Sequence, residues 1–341
     1  MPATLITSQT GIRQDLSDLI AVVDAKTCPV VSMAKKGSEP INPLTQWQAD
    51  AYGTPSLSGV LSNADVSDAN YEDQAANRVL LSARIQKFRR VPSVDDLANS
   101  VSEVAGIGKK REMARAVTKS LEMLKRDMEA TFCSNQESRE QSGSNAYLTR
   151  GLGRWIQNGA QSDLPVNSAY RTPSASVLTT APSALTETAV QGLLQSIFLQ
   201  TGKVQSYSLV CGPALKRSFT GFTRTQFAST NVGSSIRTLT QSAESNKITS
   251  TIDIFEGDFG SLELIPSLFM AADATGATAT DEQLGRGYVL DMDMVELRYN
   301  RKPRYQELED RGGGARGIVD AICALCVKSP LALGKFAPTA A

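Results

Sequence analysis

At 341 residues the chain can bury a sizeable core in one large or two moderate domains, and a content of 41% hydrophobic and 21% charged residues excludes disordered, collagen-like and disulfide-dense classes. Lysine plus arginine equals aspartate plus glutamate at 35 each, so no net positive field gathers nucleic acid, which counts against a sequence-reading DNA binder. Histidine is absent, which removes the commonest general base, the partner in Ser-His and Cys-His pairs, and the commonest metal ligand.

Residues 1–45 hold one short amphipathic stretch, with Leu16, Leu19, Ile20 and Val23 at helical spacing behind Asp15 and Asp18, closed by Pro29, Pro40 and Pro43. Such a segment makes no core of its own and reads as an arm that packs on something else. The start has no basic region followed by an apolar one, and no run approaches the roughly 18 apolar residues of a membrane span, so a cytosolic site of synthesis and no membrane contact are expected. From Trp47 to Pro92 the pattern is a long β-hairpin around a polar stretch, with Val79, Leu81, Ala83 and Ile85 alternating along one face. A two-stranded hairpin alone is marginal in water, so this one needs a partner.

Ser93 and Asp96 form a loose capping pair for a helix interrupted near Gly106 and Gly108. A long helix follows: Met113, Ala116, Val117, Leu121, Leu124, Met128 and Phe132 recur at three- and four-residue steps, and charged residues, Glu129 among them, fill the other faces. Residues 134–183 read as a polar linker with one apolar island at Leu152, Trp155 and Ile156. A compact α/β unit comes next. Thr186 opens a helix that Gly202 ends, the strand YSLVC follows, Gly212 and Pro213 turn into a short helix, and two strands hinge at Gly257 and Gly260 beyond a second polar loop at 220–247. The segments GYVLDMDMVELRYN and GIVDAICALCVKS close the chain as strands around a turn ending in Gly312 to Gly314.

Several short motifs have chemical look-alikes. Asp258-Phe259-Gly260 copies the magnesium-binding tripeptide of kinases, but neither a phosphate loop nor a His-Arg-Asp loop accompanies it, so a strand turn is expected. Cys323 and Cys326 form a Cys-x-x-Cys pair, yet zinc needs two further ligands and Cys28, Cys133 and Cys211 stand alone, so small buried hydrophobes are expected and all five thiols are taken as reduced. The glycines at 312–314 lack the Lys-Ser/Thr of a phosphate loop, and the cations after Gly108 read as a solvated helix face. Around Phe88 the cations Arg84, Lys87, Arg89 and Arg90 offer no stacking platform for single-stranded nucleic acid, whereas Asp65, Asp68, Glu72 and Asp73 of a neighbouring copy would complement them. No catalytic residue, cofactor or metal ligand is assigned, although Asp291 and Asp293, alternating onto one strand face, keep a carboxylate enzyme open as the weakest alternative.

The order of pieces (arm, long hairpin, long helix, compact α/β unit, returning strands) resembles the Hong Kong 97-type fold of tailed-phage major capsid proteins. Residues sharpen the likeness: Gly11 to Ser17 and Asp18, Thr27-Cys28-Pro29-Val30, Gln46-Trp47-Gln48-Ala49-Asp50, Leu124 to Glu129, Gly151-Leu152 before Trp155-Ile156, and Asp258-Phe259-Gly260 are similar to the SU-ten-like major capsid proteins. The resemblance implies an α+β fold with an N-terminal arm at 1–45, an extended β-hairpin loop at 46–92, a peripheral domain with its spine helix at 93–160, an axial domain at 161–285, and returning strands with a tail at 286–341. It further implies a non-enzymatic subunit of hexamers and pentamers in an icosahedral virion shell, assembled in the host cytoplasm around double-stranded DNA touched non-specifically. A separate scaffold is expected because little sequence precedes the arm, and a decoration protein is a further partner the family allows. Arg13, Asp15, Asp18, Trp47, Asp65, Asp68, Arg84, Lys87, Arg89 and Arg90, with the loops at 157–183 and 220–247, are the expected inter-subunit contacts. An encapsulin-like compartment keeps the same fold and is the nearer alternative.

Overall fold

The computed structural model describes residues 27–53, 55–66, 77–100, 112–222, 252–270, 281–309 and 311–338. The stretch expected around Asp15 and Asp18, the glycines at 106 and 108 and most of the loop at 220–247 lie outside them. In chain order the elements are α1 (Pro29–Met33), β1 (Lys35–Lys36), β2 (Leu44–Ala49), β3 (Val79–Arg84), β4 (Gln86–Arg90), α2 (Asp96–Ser100), α3 (Glu112–Cys133), α4 (Leu152–Trp155) and β5 (Val177–Leu178). After them come α5 (Glu187–Thr201), β6 (Gln205–Cys211), α6 (Pro213–Gly221), β7 (Ile254–Gly257), β8 (Gly260–Pro266), α7 (Asp281–Leu284), β9 (Gly287–Leu290), β10 (Val295–Leu308), β11 (Arg316–Val327) and β12 (Gly334–Phe336).

The described residues form two compact units, one drawn from Arg89–Leu124 and Pro303–Asp320, the other from Thr27–Phe88, Lys125–Lys302 and Ala321–Ala341. In the larger unit a six-stranded sheet has the order β5-β12-β9-β6-β8-β7, with β6 and β8 parallel and β9 antiparallel to β6. Helix α5 forms where the sequence predicts it. The Thr186 hydroxyl accepts the Ala189 N–H at 3.3 Å, and Gly202, at φ 64°, donates its N–H to Phe198 at 2.7 Å. Its apolar stripe of Val190, Leu193, Leu194 and Ile197 packs with Leu215 and Phe219 of α6 and with Tyr207, Leu209, Phe255, Leu262 and Val289 of the strands. The Asp258-Phe259 pair is the turn between β7 and β8. Gly260 takes φ 135°, and a Cβ there would stand 2.5 Å from the Gln205 carbonyl oxygen.

In the smaller unit, the Val94 N–H donates to the Ala315 carbonyl and the Gly317 N–H to the Pro92 carbonyl, both at 3.0 Å. Asp95, not Ser93, caps α2, accepting the Ala98 N–H at 3.3 Å; Ser93 is extended and bridges Arg316. Gly314, at φ 101°, lets the turn into β11 press on the Val94 carbonyl, where a Cβ would be 2.3 Å away. In the part of β11 that belongs to the larger unit, Cys323 and Cys326 are both fully buried, and burial raises the Cys326 thiol to about 12 and the Cys323 thiol further.

Other expectations need correction. The segment GYVLDMDMVELRYN is two strands, because Asp291 to Met294 form a turn in which the Met294 N–H donates to the Asp291 carbonyl at 3.0 Å and the Asp293 N–H to the Asp291 carboxylate at 2.9 Å. Asp291 and Asp293 therefore share no strand face: one carboxylate accepts from Gln205 at 2.7 Å and the other pairs with Lys35 at 2.7 Å. Residues 134–183 are no loose linker; they bury Arg150, Leu152, Trp155, Ile156, Tyr170, Thr172 and Ser176. Glu129 is not on the solvated face of α3 but fully buried beside Met128 and Phe132.

Candidate functional site

The hairpin stands as its own sheet. β2 and β3 pair antiparallel over six positions, from Leu44 opposite Arg84 to Ala49 opposite Val79, and neither joins another sheet among the described residues. Alternation follows from the pleat: Thr45, Leu81 and Ala83 turn to the body while Leu80 points out. Beyond the pair made by Asp50 and Arg78 at 3.4 Å, the loop carries Tyr52, Leu57, Val60, Leu61 and Val66, all exposed, the first two completely. Five large apolar side chains in fifteen residues of loop find nothing to cover them within the described chain. At this degree of exposure they line an extended loop and do not pack on one another, so covering them would take another surface.

The root of the hairpin is held by stacked cations and rings. The Arg150 guanidinium lies over the Trp155 ring at 4.6 Å, Trp155 meets Trp47 of β2 at 5.9 Å between centroids, and the Arg298 guanidinium lies 5.3 Å from the Trp47 ring. Arg298 also donates to the Thr45 hydroxyl at 2.9 Å and to Glu296 at 3.1 Å. Buried Arg150 donates to Glu137 at 2.9 Å, to the Leu164 carbonyl at 3.0 Å and to the Asp163 carbonyl. Leu164 takes φ 47°, the one left-handed non-glycine residue among those described, and that turn presents its carbonyl to Arg150. On the other strand, Arg84 donates to Asp163 at 2.9 Å and to Glu140 at 3.0 Å.

Electrostatics agree with these contacts. The hydrogen bond to Asp163 raises the Arg84 pKa against the cost of burial. Burial alone would raise the Asp163 carboxyl, but the bonds from Arg84 and Ser138 and the charges of Arg84 and Arg150 hold it below the ordinary aspartate value. The Arg150 guanidinium is shifted down by burial, which Glu137 opposes. A cleft of about 460 Å³ beside this network is lined by Gln136, Glu137, Arg139, Glu140 and Asp163 among others, and its carboxylates are engaged by Arg84 and Arg150.

Of the residues singled out from sequence, Trp47 and Arg84 both lie in the paired strands of the root, Trp47 opposite Leu81 and Arg84 opposite Leu44, so they do not meet across the pair. Asp65 is exposed in the loop. Lys87, Arg89 and Arg90 are not in the hairpin: the chain breaks at Ile85, and β4 belongs to a four-stranded sheet of order β1-β10-β11-β4. Lys87 and Arg89 are exposed there, and Phe88 turns inward against Phe132, 6.3 Å between rings. Arg13, Asp15, Asp18 and Asp68 lie outside the described residues. Sequence reasoning missed Arg150, Arg298 and the burial of Glu129; the signal for the first was a cation two residues ahead of the Leu152 to Ile156 island, which itself holds Arg154.

Comparison with known proteins adds to this geometry. The family described as SU10 major capsid protein matches residues 3–340. The major capsid protein of Escherichia phage Phieco32 is 32% identical over 143 residues, a match that spans 41% of this chain and 38% of that protein's length. Among solved structures, one from Gordonia phage Cozz covers 99% of this chain and of its own at a TM-score of 0.58 and 13% identity. The holo-SrpI encapsulin complex from Synechococcus elongatus covers 99% of this chain and 96% of its own at a TM-score of 0.53 and 11% identity. At such identities the structural likeness is one of fold.

Proposed function

The chain belongs to the SU10 major capsid protein family, and from that premise we propose that copies of it close into the head shell of a tailed phage, with the 50–66 loop of each subunit lying on a neighbour. The exposed apolar loop carries this reading. Tyr52, Leu57, Val60, Leu61 and Val66 extend from a separate two-stranded sheet whose root is fixed by Trp47, Arg298 and Arg84. Covering five such side chains is worth on the order of 10 kcal/mol gross per subunit, before the entropy of association is subtracted. Closure then makes many modest contacts stable together.

In this reading residues 1–45 act as an arm, 46–92 as the extended loop, 93–160 and 286–341 as the peripheral domain and 161–285 as the axial domain. Hexamers and pentamers would be formed by one chain, helped by a separate scaffold and open to a decoration protein. Near-zero net charge suits an inner wall that touches double-stranded DNA without holding it, since phosphate binding scales with the cations offered. The encapsulin likeness supports a second reading, a protein compartment, and particle contents separate the two: DNA for a head, a cargo protein for a compartment.

Deleting residues 55–66 tests the proposal. The variant is expected to remain folded by circular dichroism and to form no closed particles in electron micrographs. Normal closed particles from it would overturn the role given to the loop.

A further inference from the structure

Glu129 is fully buried on α3, and its carboxylate reaches across to the turn at Cys28–Val31. One oxygen accepts the Val30 N–H at 2.9 Å and, at 3.7 Å, the Cys133 thiol; the other accepts the Val31 N–H at 2.8 Å. Cys28, at the start of α1, offers no side-chain cap, so the two N–H groups of this turn depend on a residue about one hundred positions away. A buried carboxylate held by backbone donors and a thiol is unusual, because a charge out of water is ordinarily matched by a cation.

We propose that Glu129 is a latch that holds the Cys28–Val31 turn on the spine helix, and that the latch opens more readily as the pH rises. The hydrogen-bond pattern and the burial pull in opposite directions here. Two N–H donors and a thiol favour the ionised carboxylate, whereas removal from water penalises it, and burial prevails, so the folded-state pKa lies above the ordinary glutamate value. The charged and titratable groups facing the cluster are Lys125 and Arg126 on α3, Arg286 ahead of β9, and the thiols of Cys28 and Cys133.

The sign follows from linkage. When the turn lifts, Glu129 meets water and titrates near its ordinary value; when the turn is seated, it keeps its proton to higher pH. Between those two values the seated state binds more protons, so the latch contributes most below the ordinary value and loses strength as pH rises through the raised one. The opening constant then grows by up to about tenfold per pH unit inside that window. Substituting Gln sets an amide NH2 against a backbone N–H and removes the titration, which weakens the latch equally at all pH.

Hydrogen exchange of the full chain measures this opening. The exchange rate of peptide 27–34, divided by that of the α5 peptide 187–201 to remove the chemical pH dependence, is expected to rise with pH in the wild type, and in E129Q to be higher but flat. An unchanged ratio in E129Q, or equal slopes in the two proteins, would overturn the latch. Should E129Q not fold, a flat wild-type ratio overturns it alone. The readout belongs to the folded chain, so it is separate from whether particles form.

Discussion

Single residues decide how firmly the hairpin is aimed. Arg150 shows how: it donates to Glu137 and two carbonyls while its Nη1 has no hydrogen-bond partner among the described residues, its face meets Trp155, and through Trp155 it supports Trp47 at the base of β2. Replacing it with Met keeps much of the volume but strands Glu137 without its cation, and one-sided removal of a buried pair is costly. R150M is expected to lower unfolding stability by about 3 kcal/mol in urea titrations, and R150M with E137Q to recover part of that, as coupled neighbours do. None of this was legible in the sequence, where an arginine reads as solvated until a fold closes over it. Glu129 was hidden for the same reason: it flanks the Met128 and Phe132 stripe, and only the arrival of α1 turns that flank into interior.

Elements with local signals were legible. Thr186 and Gly202 mark the two ends of α5 because capping is chemistry between residues close in sequence. Gly260 marks the β7–β8 turn because only glycine takes its φ of 135° without strain. Replacing Gly260 with Ala is expected to cost about 1–3 kcal/mol through the left-handed angle and the 2.5 Å approach to the Gln205 carbonyl, read as a melting temperature lower by about 2–4 °C per kcal/mol. An unchanged melting temperature would mean that the turn is not shaped as described. Where alternation was the sole guide, the reading slipped. In GYVLDMDMVELRYN the apolar positions hide a turn closed by the Asp291 side chain, and at Ile85 one continuous pattern divides between two sheets. Alternation reports which face is covered and says nothing of which strand lies alongside.

Across the whole molecule, the family is that of SU10 major capsid proteins and the fold is one shared with phage capsid structures, and the order of pieces was the part of the sequence that pointed there. The missing histidines bore only on which chemistry the sequence suggested; the exposure of Tyr52, Leu57 and Leu61 was masked there by their polar neighbours. Those side chains face water in a single chain and are expected to be covered in a particle. Electron microscopy of the purified protein tests the central claim most directly. Closed icosahedral shells are expected, in which the 50–66 loop of each subunit rests on an adjacent one; a protein that stays monomeric, or shells in which that loop touches no neighbour, would contradict this.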